Sequence, residues 1–197
     1  QAQEGHLVAR LPRVPLYYWG NLLVFPRPPA PGDAPTWLRA FEDAFRGSAC
    51  EGHYSLAWES PSGEMGAHDE LQALGFSTFR EPVLVTTRVH QPPRAAQDVE
   101  VRTVEGDGAW EAVINSQLVF RPEPYSAEAY ERFTRSMFAA YRRLAERGDG
   151  AWFGAYTADG ALAGNLGVFR VDGVIRYQSV LTAPRFRKQG IAGRLVA

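Results

Sequence analysis

The chain has 197 residues, of which 45% are hydrophobic and 22% charged, and this length allows one large domain or two small ones. Its 21 basic and 22 acidic residues leave a net charge of −1, which argues against a nucleic-acid partner, because such proteins usually carry a basic excess. The single cysteine, Cys50, excludes an intramolecular disulfide framework and a Cys-rich metal site. No apolar run is long enough to span a bilayer and no signal segment begins the chain. We therefore expect a soluble, cytoplasmic protein with no membrane partner.

Two proline-rich stretches divide the chain, at 26–32 and at 90–97. Proline lacks a backbone N–H and fixes φ, so neither stretch can be helix interior or central strand. The second stretch is polar, with nothing apolar to bury, and is typical of a connection between domains. We predict an N-terminal module over 1–90, a linker over 91–98 and a C-terminal domain over 99–197.

The N-terminal module shows a β-α-β-α-β order. Its first helix is predicted to begin at Asp33, which can cap it, and to end at Gly47. Trp37, Leu38, Phe41 and Phe45 give that helix an apolar face. The other predicted elements are a buried strand interrupted at Gly20-Asn21, a short strand, a short helix and a β-branched strand, namely Leu16–Phe25, His53–Trp58, Glu70–Leu74 and Pro82–Arg88.

The C-terminal domain shows a β-α-α-β-β-β-loop-α order. A strand over Val99–Val104 precedes one helix that Asp107 can cap and a longer one that begins at Ser126. An Asp172-Gly173 turn of the type preferred in hairpins joins the last two of three strands, so we predict an antiparallel meander. The three strands are expected over Ala151–Thr157, Ala161–Val171 and Val174–Thr182.

The segment after the last strand carries the chemistry. Pro184 ends strand pairing, and a basic turn then leads through Gly190 directly into a helix. Gly190 lets the backbone approach a ligand because it has no Cβ, and Gly193 keeps the first helical turn small. The free N–H groups of such a turn favour an anion, and Arg187 and Lys188 add positive charge, so the pattern predicts phosphate binding.

The run Arg187-Lys188-Gln189-Gly190-Ile191-Ala192 resembles the Arg/Gln-x-x-Gly-x-Gly/Ala signature of the GNAT superfamily, the acetyl-CoA-dependent N-acetyltransferases. The resemblance covers the chain from Val99 to Ala197 and includes the order of elements before the signature. It implies an α+β fold with a mixed, mostly antiparallel sheet flanked by helices, to which the N-terminal module adds a smaller α/β unit.

The resemblance also implies a co-substrate, acetyl-CoA, and the residues that would hold it. The N–H groups of Lys188 through Ala192 would bind the pyrophosphate, and Leu181 and Thr182 would pair with the pantetheine arm. A substrate amine would then attack the acetyl thioester directly. The cofactor-binding prediction thus comprises Leu181, Thr182, Arg187, Lys188, Gln189, Gly190, Ile191 and Ala192.

The resemblance leaves part of a catalytic domain unaccounted for. The family's fifth strand, and the tyrosine that often protonates the leaving thiolate, follow the signature helix, so we expect the domain to continue beyond Ala197. The Glu70–Phe76 segment and the strand expected after it resemble an element near the C-terminus of GNAT domains. We therefore expect a tandem protein with a degenerate N-terminal half.

Other candidate residues are better explained as structural, and we assign no catalytic acid or base. The helical stripe of Tyr130, Phe133, Met137 and Tyr141 is more typical of core than of an acceptor pocket. The four histidines show no metal-ligand spacing, so no metal is predicted. The remaining candidates, for which a structural role is at least as probable, are Trp19-Gly20-Asn21, Cys50, Arg176, Gln178, Glu100, Glu105, Glu111 and Glu123.

Two functions from different classes remain open. The first is an N-acetyltransferase that acts on a small-molecule or protein amine. The alternative is a non-catalytic module of the same fold that binds acyl-CoA or mediates assembly. A phosphate-binding domain of another kind is a third interpretation, and the sequence leaves the acceptor and a homodimer open.

Overall fold

The computed structural model describes residues 2–3, 5–15, 17–123 and 125–197. It divides into two compact units, one that ends at Leu84 and one that runs from Val85 to Ala197. Each unit contains its own four-stranded sheet with helices between the strands. The predicted α+β class is therefore confirmed.

The sheet of the N-terminal unit has the order β1-β2-β3-β4. Its first three strands pair antiparallel, whereas β3 and β4 pair in parallel. Parallel neighbours need a crossover connection, and a helix, α1, supplies it. The elements of this unit are β1 (Ala2–Gln3), β2 (His6–Ala9), β3 (Leu22–Phe25), α1 (Ala34–Phe45), β4 (Leu56–Trp58) and α2 (His68–Ala73).

Aromatic packing forms the core of the N-terminal unit. Trp37, Phe41 and Phe45 lie on one face of α1 and are buried, as their spacing predicts. The rings of Trp37 and Phe25 stack with centroids 3.7 Å apart. The capping prediction for Asp33 is wrong in one respect: its carboxylate accepts from the Ala30 N–H, at 2.7 Å, and makes no side-chain cap bond.

The strand predicted over Leu16–Phe25 is shorter in the structure, where only Leu22–Phe25 is a strand. Leu16 lies outside the described residues. Tyr18–Gly20 forms a single 3-10 turn, because the buried side chain of Asn21 holds the backbone around it. That amide accepts from the Leu11 N–H at 2.8 Å and donates to the carbonyls of Val14, Tyr17 and Pro15 at 3.2, 2.9 and 3.5 Å. Local hydrogen bonds of this kind compete with strand pairing.

The strand predicted over Pro82–Arg88 is wrong. These residues have no regular secondary structure, and Val83, Leu84 and Val85 are 85%, 92% and 78% exposed. A β-strand needs a neighbouring strand for its backbone groups, and none of the described strands pairs with this segment. Its β-branched composition is therefore not sufficient to form a strand. The structure also contains β1 and β2, which the sequence did not predict.

The C-terminal unit has a fully antiparallel sheet of order β5-β6-β7-β8. The predicted three-stranded meander is confirmed, and Asp172 and Gly173 both have positive φ, at 47° and 80°, as a type I′ turn requires. The elements are β5 (Val99–Thr103), α3 (Gly106–Leu118), α4 (Ala127–Glu146), β6 (Gly150–Thr157), β7 (Leu162–Val171), β8 (Val174–Thr182) and α5 (Ile191–Val196).

Helices cover this second sheet on both faces. Trp152, which is 1% exposed, packs against Trp110 of α3 and against Phe138 and Tyr141 of α4. Ile191 and Leu195 of α5 pack in a second apolar cluster with residues of β6 and β7. Ser126 caps α4 as predicted, since its hydroxyl accepts from the Ala129 N–H.

Two further predictions concern these helices. Tyr130 and Met137 of the predicted α4 stripe are buried, so the core interpretation is confirmed for them. The prediction that Asp107 caps α3 is wrong: Glu105 precedes the helix, and Asp107 lies in its first turn, where its carboxylate pairs with Arg142. None of the described helices combines the length and the apolar character that crossing a membrane requires.

Candidate functional site

A β-bulge interrupts β8 close to its end. Asn165 of β7 stands opposite Leu181, whereas Gly167 stands opposite Gln178, so two residues of β8, Ser179 and Val180, face one residue of β7. Ser179 has a φ of 50°, in the left-handed region that non-glycine residues seldom occupy. A bulge leaves one residue without a partner in the ladder and bends the strand. Bulges are frequent beside active sites.

An open groove of about 280 Å³ runs beside this bulge. Its lining comprises Phe120, from the turn after α3, with Val180, Leu181, Thr182 and Arg187. The guanidinium of Arg187 lies over the Phe120 ring, 5.2 Å from its centroid. The groove thus brings together three of the residues predicted to hold a cofactor, Leu181, Thr182 and Arg187, and combines an apolar wall with one positive charge.

The predicted phosphate-binding loop adjoins the groove through Arg187. Lys188 has a φ of 62°, and with Asp172 and Ser179 it completes the set of described non-glycine residues with positive φ. The Asp172 conformation belongs to a hairpin turn, whereas Ser179 and Lys188 are the chain neighbours of Val180 and Arg187, which line the groove. A positive φ in a non-glycine residue costs free energy, so the surrounding structure must hold both residues in this conformation.

The backbone N–H groups of the loop are the next feature of this region. Within the described part of the chain, no hydrogen-bond acceptor is assigned to the N–H groups of residues 188–192. The Gln189 side chain donates to the Arg185 carbonyl at 3.1 Å and so braces the turn. Ile191 is 3% exposed, because its side chain belongs to the core, so only its backbone can contact a ligand.

A close contact within the chain is one reason for glycine at position 190, beside the ligand contact that the sequence predicts. Gly190 has a φ of 80°, and a Cβ there would lie 2.2 Å from the carbonyl oxygen of Arg94. A Cβ at Gly193 would lie 2.8 Å from Pro92. The segment before β5 therefore packs against this loop, and both glycines allow a close contact within the chain. Whether Gly190 also contacts a ligand stays a prediction.

A buried amide lies directly behind the bulge. Asn165 is fully buried; its Oδ1 accepts from the indole N–H of Trp152 at 3.1 Å, and its Nδ2 donates to the hydroxyl of Ser116 at 3.0 Å. Buried amides are costly unless bonded, and this one is bonded on both sides. It connects β6, β7 and α3 at the level of the groove.

The sequence and the fold of this chain were compared with those of known proteins. No family model matches the chain, and no curated protein matches it significantly in sequence. A functionally unknown conserved protein from Staphylococcus epidermidis has a similar structure, with 15% identity and a TM-score of 0.66 over 98% of this chain and 74% of that one. A GCN5-related N-acetyltransferase from Sphaerobacter thermophilus gives 18% identity and a TM-score of 0.51 over 95% of this chain and 59% of its own.

The fold is similar to that of a GCN5-related N-acetyltransferase. At these identities the likeness concerns the fold alone, and the chain spans less than two thirds of the Sphaerobacter acetyltransferase. A spermidine N-acetyltransferase from Vibrio cholerae, in complex with CoA and spermine, is also similar, with 16% identity over 47% of this chain and 56% of its own. Its TM-score of 0.33 is too low to support an inference.

None of the acidic candidates lines the groove. Glu111 forms an ion pair with Arg135, whose hydrogen bond holds the pKa of that carboxyl below its ordinary value. Glu105 accepts from the Thr103 hydroxyl. Glu100 and Glu123 are exposed, as are Arg176 and, more partially, Gln178 on β8. A catalytic base is therefore not assigned.

The remaining candidates are structural. The buried thiol of Cys50 donates to the Pro15 carbonyl, and burial raises its pKa, which makes it a poor nucleophile. Across the described ranges, no cluster of three or more His, Cys, Asp or Glu side chains could hold a metal ion. Trp19 is half-exposed, and Asn21 serves the loop described above.

Sequence reasoning missed Phe120, Ser179, Val180 and Asn165 as residues of this region. Neither Phe120 nor Val180 carries a motif, since each is one apolar residue among many. Asn165 is a weak signal in the sequence. It lies among apolar residues in a central strand, so its amide is expected to be buried and to need hydrogen-bond partners.

Proposed function

We propose that the C-terminal unit binds acetyl-CoA and transfers its acetyl group to an amine of a small molecule or protein. The amine nitrogen attacks the thioester carbonyl carbon, a C–N bond forms, and the C–S bond breaks. The nitrogen loses a proton, and the departing thiolate takes one up. The observation that carries this proposal is the bulge at Ser179-Val180 beside a groove whose lining includes Arg187, the first residue of the predicted phosphate-binding loop.

The loop supports binding of the pyrophosphate. Backbone N–H groups without acceptors are suited to phosphate oxygens, and Arg187 and Lys188 place two positive charges in the same turn. The residues assigned to the phosphates are Arg187, Lys188, Gln189, Gly190, Ile191 and Ala192.

The edge position of β8 supports binding of the pantetheine arm. Among the described strands, β8 pairs with β7 alone, so the backbone groups along its other edge are open. An extended ligand with amide groups can add to such an edge as a further strand. Leu181 and Thr182, which line the groove at this edge, are the residues we assign to that pairing.

The bulge supports the chemical step. A backbone N–H outside the ladder can stabilise the oxyanion that develops on the attacked thioester carbonyl. A groove that holds the thioester beside the amine adds the advantage of proximity, which is a large part of catalysis for a direct transfer.

A non-catalytic acyl-CoA-binding module is the second candidate. The groove lining of Phe120, Val180, Leu181, Thr182 and Arg187 offers no carboxylate, imidazole or thiol. A unit that binds acyl-CoA but holds no proton acceptor would act as a sensor or an assembly module.

We further propose that the N-terminal unit is a related, degenerate half of a tandem protein. Its antiparallel strands β2 and β3 are followed by a loop and α1, as β7 and β8 are followed by a loop and α5. This shared order supports the tandem hypothesis.

The first test is thermal unfolding with acetyl-CoA. At 100 times the Kd, binding to the folded state alone contributes ~2.7 kcal/mol, which should raise Tm by about 5–10 °C. Arg187→Gln should weaken binding roughly tenfold, because it removes the groove's positive charge. Arg176→Gln, which removes a charge elsewhere on β8, is the matched control and should leave the shift unchanged. No shift for the wild-type chain would contradict the proposal.

The second test separates enzyme from sensor. Release of the CoA thiol is followed with a panel of small amines and amine-bearing peptides. Release that depends on the amine supports transfer, whereas tight acetyl-CoA binding without release for any amine favours the non-catalytic module. A substitution of Gly190 would not be a suitable test. Its side chain would overlap the Arg94 carbonyl, so a loss of binding could not be distinguished from a loss of folding.

A further inference from the structure

The geometry points to Phe120 as a positioning residue: we propose that its ring holds the guanidinium of Arg187 ready for a phosphate group of acetyl-CoA. This role rests on the proposed function, because it deepens the assignment of Arg187 to the phosphates. It adds a residue that no sequence motif marks and that lies far from the predicted phosphate-binding loop along the chain.

The first step is the contact between the two side chains. The guanidinium carbon of Arg187 lies over the Phe120 ring, 5.2 Å from its centroid, within the distance at which a cation is attracted to an aromatic face. Both residues line the groove. Phe120 is half-buried and Arg187 is exposed, so the ring is a fixed surface for a long side chain that otherwise extends into solvent.

The second step concerns the hydrogen-bond donors of Arg187. A guanidinium has five N–H donors; a salt bridge occupies some of them, whereas attraction to an aromatic face acts on the charge. Among the described residues, no carboxylate lies within ion-pair distance of Arg187. By contrast, Arg135 in the same unit donates to Glu111 and Glu131, with each bond at 2.8 Å. The ring therefore orients Arg187 and leaves its donors available for a phosphate.

The third step is the anchoring of the ring. The N–H of Phe120 donates to the Gln117 carbonyl at 3.0 Å, so its backbone is held by the last turn of α3. Arg187 belongs instead to the loop that follows β8. The contact thus attaches a side chain of the loop to the end of a helix, and the position of the guanidinium depends on a residue outside the loop.

The fourth step is the effect on binding. A free arginine loses rotamer freedom when it binds a ligand, and this loss opposes binding. A side chain that already rests on a ring has lost part of that freedom beforehand. The planar guanidinium can also form two parallel hydrogen bonds with a phosphate, so its orientation matters as well as its charge. Removal of the Phe120 ring should therefore weaken the binding of acetyl-CoA, and should do so only through Arg187.

The experiment is a double-mutant cycle on the binding of acetyl-CoA. Dissociation constants are measured for the wild type, Phe120→Leu, Arg187→Gln and the double variant. Leucine keeps an apolar side chain in the groove but has no ring. We expect Phe120→Leu to weaken binding roughly threefold on its own and to have no further effect when Arg187→Gln is already present. Phe120→Tyr, which keeps an aromatic face, should bind as the wild type does.

The matched control is Val119→Ala, a truncation in the same turn. Val119 is 67% exposed and is not part of the groove lining, so the dissociation constant should be unchanged. Thermal unfolding without ligand establishes that each variant is folded. If Phe120→Leu does not fold, Phe120→Met replaces it, because methionine adapts to irregular spaces and has no ring.

The outcomes are distinguishable. Equal weakening by Phe120→Leu with and without Arg187 overturns the positioning role, since the ring would then act independently of the guanidinium, and leaves the proposed function standing. The role is also overturned by unchanged binding in Phe120→Leu or in Arg187→Gln, or by an equal loss in Phe120→Tyr or Val119→Ala. A wild-type chain that does not bind acetyl-CoA overturns the proposed function, and this role with it.

Discussion

Each unit buries one asparagine among apolar residues, and the two side-chain amides differ in their hydrogen-bond partners. Asn21 in the N-terminal unit bonds only to backbone groups of the preceding segment, from Leu11 to Tyr17. Asn165 in the C-terminal unit bonds only to side chains, Trp152 and Ser116, which belong to other elements. The first amide shapes a loop, and the second joins a sheet to a helix next to the groove.

The two sheets differ in the length of their strands. The strands of the N-terminal unit are two to four residues long, whereas those of the C-terminal unit have five to ten. Short strands form few ladder bonds, so loops and aromatic stacking contribute more to the first unit. The comparison therefore predicts that the N-terminal unit is sensitive to changes in loops, and the second unit to changes at close contacts between elements.

The largest expected effect is that of Asn21→Leu. The substitution leaves the Leu11 N–H and the Val14 carbonyl without this partner, and each such loss costs about 1–3 kcal/mol. We expect the free energy of unfolding of the N-terminal unit to fall by roughly 3 kcal/mol. Native-state hydrogen exchange of β3 and β7 measures the units separately. An equal acceleration in β7 would contradict the separation of the two units.

The next effect is at the contact between Gly190 and Arg94. Gly190→Ala adds a Cβ that would lie 2.2 Å from a carbonyl oxygen, in a residue of positive φ. Strain and overlap together should cost the C-terminal unit roughly 2 kcal/mol. Gly160→Ala is the control, since Gly160 has a φ of 83° and open space around the Cβ position. Urea unfolding of both variants isolates the contact, and equal losses would show that it contributes nothing.

A smaller effect depends on pH and on His53. His53 is exposed, but partial desolvation of its imidazole, whose ring stacks on Tyr18, lowers its pKa below the ordinary value of 6.5. A depressed folded-state pKa means that the stabilisation is complete above pH 6.5 and is lost as the pH falls towards the folded-state pKa. The protection factors of the β3 amides, which correct the exchange rates for the intrinsic effect of pH, should therefore fall below pH 6.5. In His53→Phe this fall should be smaller, and an identical pH profile of the protection factors would refute the assignment.

The smallest effect concerns the exposed segment around the boundary between the two units. Replacement of Val83 and Val85 by serine should change stability by no more than about 0.5 kcal/mol, because both side chains are exposed. Thermal unfolding of the double variant measures it. A loss well above this value would mean that the segment packs as a strand after all.

Much of the C-terminal unit was predictable because its signals are local. Ser126 before an apolar stripe marks a helix start, and Asp172-Gly173 between alternating segments marks a hairpin. Each is decided by the conformation of a few adjacent residues. The groove residues Leu181, Thr182 and Arg187 were also predicted, although only through a resemblance that carried the loop and the strand end together.

The rest depends on contacts between residues distant in sequence. The bulge at Ser179 is decided by pairing with β7, and the restriction at Gly190 by a carbonyl at position 94. The failed strand over Pro82–Arg88 has suitable residues but no described neighbour to pair with. In all three cases the composition of the segment itself contains no information about the partner that decides its structure.

Hydrogen exchange with and without acetyl-CoA tests the central claim most directly, because it observes the two units at once. Acetyl-CoA should slow exchange at the amides of residues 179–182 and 188–192, and should leave β3 of the N-terminal unit unchanged. Protection confined to the loop and the end of β8 is the predicted result. No protection at either segment at saturating acetyl-CoA, or protection in the N-terminal unit alone, would contradict the account.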